Sequence, residues 1–353
     1  MLNKNNFIID YKNKKPNNFK KYKIGIIGAG NIVENSHLPI YEAEKLNIIN
    51  IFDNNIEKAK FLKKKYNIIN YSNNIEEFFN DKNIDIVDIA VPAEFNHDLF
   101  QQALNYNKHI LIQKPLSNNI ETAKKILTKY RNANIKANVN HQMRYSPSIK
   151  AANYLIKKNY FGQIKSFKFY THRKTDWSIW PWLSKIDYPE LRYNSIHYLD
   201  SIRCLFGNPN NVKAELIHSR NSILDKPTNI YVTFKYNNGL TGVLDITHDS
   251  KKKPDDWTAG FEIIGVNGNC KGIISSMIGN GTSFPDKIKF SYYKNNKLNS
   301  YEKELEGRWF SESFAGPMFS LFNAIEFNIQ PETNIYDAFE TLNLVEEVIK
   351  SQD

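Results

Sequence analysis

From Tyr22 onward, short apolar runs alternate with longer stretches in which apolar side chains recur every three or four positions. Tyr22–Ile27, Asn47–Phe52, Ile84–Ala90, His109–Gln113 and Lys136–Val139 are too short for stable helices and have no consistently polar side. That pattern predicts strands buried on both faces, and therefore paired in parallel. The stretches between them, Ser36–Lys45, Ile56–Tyr66, Ile75–Asn80, His97–Tyr106 and Ile120–Arg131, carry the helical spacing, as in Ala123, Ile126 and Leu127. Asn118, with Glu121 after it, is expected to cap the last of these helices. A series of this kind predicts a doubly wound sheet that opens a ligand crevice at the carboxyl ends of its strands.

After about residue 142 the pattern changes. A helix near Ser148–Lys157 is followed by alternating segments separated by turn signals: Ile164–Tyr170, Val212–His218, Tyr231–Tyr236, Thr241–Ile246, Phe261–Val266, Cys270–Ile274 and Ile288–Tyr293. Asn238-Gly239 and Asn267-Gly268 read as hairpin turns. Val232, Phe234 and Tyr236 give the resulting sheet a buried face, and helices at Ser313–Phe327 and Ile335–Lys350 close the chain. The expected organisation is an extension over 1–20, a doubly wound domain over 21–142, and an α+β domain with a large open, mostly antiparallel sheet over 143–353. With no internal repeat and no long flexible linker, the two domains are expected to pack around a shared cleft.

Composition narrows the classes. A chain of 353 residues with 22 Phe and 20 Tyr has the length and the apolar content for two cores. The 47 Lys and Arg exceed the 37 Asp and Glu by 10, which raises a nucleic-acid reading. The lysines are scattered, as at Lys60, Lys63, Lys64 and Lys65, and form no basic arm with interleaved aromatics, so no nucleic-acid partner is expected. No apolar run reaches the roughly 18 residues of a membrane span, and residues 1–20 lack a secretory core, so a cytoplasmic protein without a membrane partner is expected. The extension is expected to be tied down through Phe7, Ile8, Ile9 and Tyr11. Cys204 and Cys270 read as reduced thiols, and the eight His show no metal-ligand spacing, so no metal is expected. No nucleophile elbow and no P-loop lysine occur, which removes hydrolytic and phosphoryl-transfer readings.

Gly28-Ala29-Gly30 follows the first predicted strand and opens a helix, where a glycine-rich turn lets backbone N–H groups approach a pyrophosphate. Val33 stands where a third glycine is usual. Asp53 ends the second strand a little over 20 residues later, placed to accept from a ribose 2′-OH and to repel a 2′-phosphate. Asn54 and Asn55 follow in place of a basic pair, so NAD is expected over NADP. Together these features predict a Rossmann dinucleotide-binding domain.

These residues carry a resemblance. The stretches Gly28-Ala29-Gly30-Asn31-Ile32-Val33 with His37-Leu38-Pro39, Val87-Asp88-Ile89-Ala90-Val91-Pro92 with His97, and Gln113-Lys114-Pro115 resemble the Gfo/Idh/MocA (glucose–fructose oxidoreductase/inositol dehydrogenase) family. Arg144 with Pro147, Phe161-Gly162-Gln163-Ile164, Ile196-His197-Tyr198-Leu199-Asp200 and Phe261-Glu262-Ile263-Ile264-Gly265 extend the likeness over the rest of the chain. The resemblance implies a nicotinamide enzyme acting on a secondary alcohol of a sugar, polyol or sugar-derived acid, working as a homodimer or homotetramer. It implies Lys114 as the group that stabilises the developing alkoxide and His197 as the acid/base, the two meeting on one substrate oxygen. The bland alternatives are a surface lysine before a proline turn and a helix histidine stacked on Tyr198 or Phe206.

The chain departs from the family at two places. Gln113 replaces the glutamate of a Glu-Lys-Pro motif, so the partner of Lys114 is uncharged. Tyr193, followed by Asn194, stands where many members have an aspartate four residues before the histidine. Asp200 either holds an imidazole nitrogen of His197 or pairs with Arg203. Further cofactor candidates are Val91, Pro92, Asn140 and His97, although His97 and Asn96 serve equally as caps of the following helix. Arg144, Asn194, Trp177 and Trp182 are substrate candidates, and the tryptophans serve equally as packing under a long loop. Arg144, Arg173, Arg192 and Arg308 are candidates for a carboxylate or phosphate clamp. Two other readings stay open: an enzyme with resident NAD that oxidises only transiently for elimination or epimerisation, and a redox-silent dinucleotide-binding regulator.

Overall fold

Strands β1 (Lys23–Ile27), β2 (Asn47–Phe52), β3 (Asn70–Ser72), β4 (Ile86–Ile89), β5 (His109–Gln113) and β6 (Ala137–Asn140) form one all-parallel sheet in the order 3-2-1-4-5-6. This is the dinucleotide-binding strand order, with the reversal between β1 and β4. The computed structural model describes residues 7–219, 224–250, 258–276 and 284–352. The connections are α1 (Leu38–Ala43), α2 (Ile56–Lys65), α3 (Ile75–Asn80), α4 (Asn96–Asn105) and α5 (Ile120–Tyr130). Ile27, Val87, Ile89, Ile110, Ile112 and Val139 fill a core with Phe78, Phe100 and Ile126, which is why these strands have no polar side.

Three local expectations differ from the structure. The helix expected over 36–45 starts earlier, running from the glycine turn through a π-turn at Val33–His37 into α1. The cap of α5 is Asn119, whose side chain accepts from the Thr122 N–H at 2.8 Å, rather than Asn118. The edge strand β3 carries no apolar signal and has no counterpart in the sequence reading.

The second sheet has the order β14-β13-β12-β11-β7-β10-β9-β8. Helix α6 (Pro147–Lys157) precedes β7 (Ile164–His172), and α7 (Ile196–Phe206) precedes β8 (Asn211–His218). Then come β9 (Pro227–Lys235), β10 (Thr241–Thr247), β11 (Thr258–Gly265), β12 (Gly268–Ile273), β13 (Lys287–Lys294) and β14 (Lys297–Glu304). Every pairing is antiparallel except β7 with β10. The first expected hairpin sits at Asn238-Gly239. The second is displaced by one residue, because β11 ends at Gly265 and Gly268 already lies in β12. Val232 and Phe234 are buried with α6 and α7 residues of the same unit, so the opposite face, with Tyr231, Ile264 and Ile273, is the exposed one.

The chain does not divide at 142 alone. Residues 13–142 and 314–342 form the unit around the parallel sheet, whereas residues up to Lys12, 143–313 and 343–353 form the other. Helix α8 (Ala315–Glu326) therefore belongs with the first sheet, as does the first half of α9 (Ile335–Lys350). Buried Asn138 on β6 explains this, since its amide donates to the Pro317 carbonyl at 2.8 Å and its Oδ1 accepts from the Thr333 hydroxyl at 2.7 Å. The expected extension is divided too. Phe7, Ile9 and Tyr11 pack into the second unit, with Phe7 between Tyr160 and Phe290, whereas Phe19 and Tyr22 pack on Phe322 of α8. Ile8 is 84% exposed and anchors nothing, and residues 1–6 lie outside the described residues.

Candidate functional site

At the carboxyl ends of the parallel strands, Gly28 has φ of 108°, and a Cβ there would stand 2.5 Å from the Ala90 carbonyl oxygen. The turn thus lies tight against the chain leaving β4. Gly30 faces open space, with nothing within 4 Å of its Cβ position. Asn31 and Ile32 begin the helix, and buried Val33 fills the place of the absent third glycine. Asp53 bridges the turn to α2: Oδ2 accepts from the Ala29 N–H at 2.7 Å and Oδ1 from the Asn55 N–H at 2.8 Å. The remaining lone pairs of a half-exposed carboxylate stay available to a hydroxyl donor.

Lys114 follows β5 directly, and its backbone N–H donates to Gln113 Oε1 at 2.8 Å. Buried Asn96 holds the next two residues, donating to the carbonyls of Pro115 at 3.1 Å and Leu116 at 3.2 Å. Asn96 is therefore a tether of the Lys114 loop. His97 bonds through Nδ1 to Asp98 at 2.8 Å, leaving a buried Nε2 without a hydrogen-bond partner among the described residues. Val91 and Pro92 lie in the loop after β4, and Asn140 ends β6 with its Oδ1 buried and likewise unpartnered. An open glycine turn, a carboxylate fixed beside it and orphaned polar atoms at the start of α4 and the end of β6 are a set that fits a dinucleotide.

Beneath this surface lies a buried group that the sequence reading quoted but gave no role. His37 Nδ1 is 2.7 Å from Asp88 Oδ2, and the Tyr41 hydroxyl donates to the same oxygen at 2.9 Å. The signal was Asp88 itself, a carboxylate inside a central strand, which must have a buried partner.

In the other unit, His197 stands in the first turn of α7, buried edge-on against Trp309 at 5.1 Å, not against Tyr198 or Phe206. Asp200, one turn on, is bonded bidentately by Arg144, from Nε to Oδ2 at 2.7 Å and from Nη2 to Oδ1. This pair brings to Asp200 a partner from the turn before α6 that neither sequence alternative, a His197 nitrogen or Arg203, included. Tyr193 stands edge-on to Trp182 at 4.9 Å. Trp182 is 42% exposed, whereas Trp177 is buried against His248.

Asn194 belongs to a buried cluster. Its amide donates to Glu190 Oε1 at 2.6 Å, and its oxygen accepts from Arg173 Nη2 at 3.0 Å. Fully buried Glu190 also faces His248 Nε2 at 3.1 Å, while His248 Nδ1 accepts from Thr175 at 2.7 Å and Arg173 Nε at 3.3 Å. These contacts place the His248 proton on Nε2. Burial pushes the pKa of His248 below its ordinary value of 6.5. The unfolded chain therefore takes up that proton first as pH falls through 6.5, and stability present above this value is lost toward the folded pKa, by at most about 1.4 kcal/mol per pH unit. All five tryptophans lie between residues 143 and 313, so their emission follows this unit; burial lowers His109 of the other unit as well, so the His248 share is read from the variant. The urea midpoint read by tryptophan should drop between about pH 7 and about pH 5, and His248→Gln should flatten that fall. An unchanged slope in the variant would assign the proton elsewhere.

The four arginines considered for an anion clamp are each engaged. Beyond the Arg144 pair and the Arg173 contacts, Arg192 meets Glu346 at 2.6 Å and Arg308 meets Glu312 at 2.6 Å. Among the described residues no group of three or more His, Cys, Asp or Glu has a metal-holding arrangement, and no helix is long and apolar enough to cross a membrane.

Comparison with known proteins follows the same division. Residues 22–141 match the family described as "Oxidoreductase family, NAD-binding Rossmann fold", and residues 149–271 match the GFO/IDH/MocA C-terminal domain. The uncharacterized protein YMR315W of Saccharomyces cerevisiae is 30% identical over 156 residues, 43% of this chain and 43% of that protein. The matched stretch thus spans about two fifths of that relative's length. An oxidoreductase from Agrobacterium radiobacter, solved with NAD+, L-tartaric acid and magnesium, superposes with a TM-score of 0.80 at 19% identity, covering 94% of this chain and 96% of that one. A levoglucosan dehydrogenase in complex with NADH and levoglucosan gives 0.79 at 19% identity over the same shares. At these identities the superpositions speak for the fold.

Proposed function

The chain belongs to the Gfo/Idh/MocA oxidoreductase family, and on that premise we propose that it interconverts a secondary alcohol and a ketone on a neutral, sugar-like polyol with NAD. The observation that carries this reading is the array of strand ends around Gly30, Asp53 and Lys114. Gly28, Gly30, Asn31 and Ile32 would hold the pyrophosphate side of NAD and Asp53 its adenosine ribose, with Val91, Pro92, His97, Gln113, Lys114 and Asn140 along the remainder. Bound NAD supplies the hydride acceptor. His197 takes the hydroxyl proton, and the Lys114 ammonium donates to the oxygen on which negative charge grows.

The neutral character of the substrate rests on the arginines. Arg144, Arg192 and Arg308 are already paired with Asp200, Glu346 and Glu312, and Arg173 lies in the cluster that contains buried Glu190. An acid or phosphate would have to break one of these pairs to gain a bidentate partner. Trp182, half-exposed and braced by Tyr193, offers an aromatic face to the C–H side of a sugar ring. The exposed face of the second sheet, with Tyr231, Ile264 and Ile273, is where a second copy would pack to give a homodimer or homotetramer.

One panel tests the reading: purified protein with NAD or NADP against neutral polyols and sugars, the matching aldonates and the matching sugar phosphates, followed by nicotinamide absorbance. Neutral compounds should reduce NAD, NADP should be the poorer cofactor, and Asp53→Ala should narrow that gap. Preference for the acids would refute the substrate class. Equal use of NAD and NADP by the unaltered protein would remove Asp53 from the ribose.

A further inference from the structure

His37, Asp88, Gln113 and Asn140 come from four different places in the chain and meet in the interior of the parallel-sheet unit, all buried. Their proton positions follow from one fixed amide. Gln113 Oε1 accepts the Lys114 backbone N–H at 2.8 Å, and a backbone N–H is only a donor, so the amide cannot be turned over. Its NH2 group then faces His37 Nε2, at 3.2 Å. A donor there requires a lone pair on Nε2, and the Asn140 amide nitrogen, 3.3 Å from the same atom, asks for the same. The single imidazole proton is left on Nδ1, where Asp88 Oδ2 accepts it at 2.7 Å. The ring's other contacts are the Tyr41 hydroxyl, 3.4 Å from Nδ1, and the Phe314 ring at 5.3 Å, and neither asks for a proton on Nε2.

We propose that Gln113 holds His37 as the neutral, Nδ1-protonated tautomer, and that this His37–Gln113 pair positions Lys114 by fixing the acceptor of its backbone N–H. The positioning half of this assignment rests on the reading of Lys114 as the group that meets the substrate oxygen. The tautomer half does not. Asp88 sets the ring from one side and the Gln113 amide reads it from the other, so a side chain buried in the sheet determines where the chain turns after β5. Gln113→Glu would still accept the Lys114 N–H, but it would turn an acceptor toward the Nε2 lone pair. The ring must then take a second proton to satisfy both carboxylates.

Side-chain 15N spectra of the full chain, with the His37 signal identified by its loss in His37→Phe, decide the first half. At neutral pH the unaltered protein should show a ring protonated on Nδ1 alone, and Gln113→Glu should show imidazolium. A ring that carries its proton on Nε2, or on both nitrogens, in the unaltered protein would overturn the assignment. Amide exchange at Lys114 decides the second half. His37→Phe should lower its protection by about tenfold or more, and His37→Asn, which keeps a carbonyl for the Gln113 amide, should restore it. Unchanged protection in His37→Phe would make His37 a packing residue only. NADH binding by the unaltered protein, measured by nicotinamide fluorescence, separates the outcomes. Absent NADH binding with the expected spectra would refute the proposed function and leave the tautomer standing, whereas NADH binding with the ring proton on Nε2 would do the reverse.

Discussion

Lys114→Ala and His197→Ala should each lower kcat by about 10²–10⁴ while leaving the NADH dissociation constant within about threefold. Hydride leaves a carbinol carbon only as the hydroxyl proton departs, so the reaction needs a proton acceptor and a positive group on that oxygen. Both demands peak in the transition state, which is why kcat should fall and cofactor affinity should not. In the proposed function His197 takes the first role; it stands in the opening turn of α7, with its ring against Trp309. Lys114 takes the second; it follows β5 directly, with its backbone held by Gln113 and the following loop by Asn96. The measurement is steady-state turnover with the best substrate of the panel, beside NADH fluorescence titration. Tyr193→Phe is the control. It keeps the ring against Trp182 and removes only the hydroxyl, so unchanged turnover identifies Tyr193 as packing. A loss as large as that of His197→Ala would move the base to Tyr193.

The parts of the fold that were legible in the sequence are those whose burial is decided locally. Strands β2 and β5 are mostly Ile, Leu and Phe, and lie where the runs of Asn47–Phe52 and His109–Gln113 place them. Strands β3 and β14 sit at sheet edges and are built of Asn, Ser, Tyr, Lys and Glu, so nothing in their residues distinguishes them from loops; their neighbours impose the conformation. The helical period of α8 marks a helix but carries no information about which sheet receives it. That is decided by Asn138, whose bonds to Pro317 and Thr333 span more than 170 positions.

The candidate site divides in the same way. The glycine turn, Asp53 and Lys114 are legible because each is set by its position next to a strand end. The partners of charged groups are not, because pairing is tertiary. Near Asp200 in sequence stand His197 and Arg203, but the bidentate partner comes from Arg144, 56 residues away. The Glu190–His248 pair joins the helical segment before α7 to the residue after β10 across 58 residues and leaves no local trace. What the sequence does supply is the cost of such groups: Asp88 inside an apolar strand and His248 at the end of another must be satisfied somewhere, and that requirement alone points to buried partners.

The Arg144–Asp200 pair carries the largest expected effect on stability. Arg144 and Asp200 are both buried, and the guanidinium meets the two carboxylate oxygens through two nitrogens. Arg144→Ala leaves a carboxylate charge in the interior with its bidentate partner gone, and breaking a buried pair from one side typically costs about 3–5 kcal/mol. Against a total of about 5–15 kcal/mol for an ordinary domain, that is enough to unfold much of the unit under mild conditions. The pair joins the turn at Gln142–Tyr145 to α7, one turn beyond His197, so the loss should also release the helix that carries the proposed base. Urea unfolding followed by tryptophan emission follows this unit, since all five tryptophans lie within residues 143–313. Replacing both partners distinguishes a charge effect from a packing effect. Arg144→Met with Asp200→Leu removes both charges while keeping apolar volume, and its midpoint should recover most of what Arg144→Ala loses. A double variant as unstable as the single one would show that the guanidinium's other contacts, not the ion pair, hold the turn to the helix.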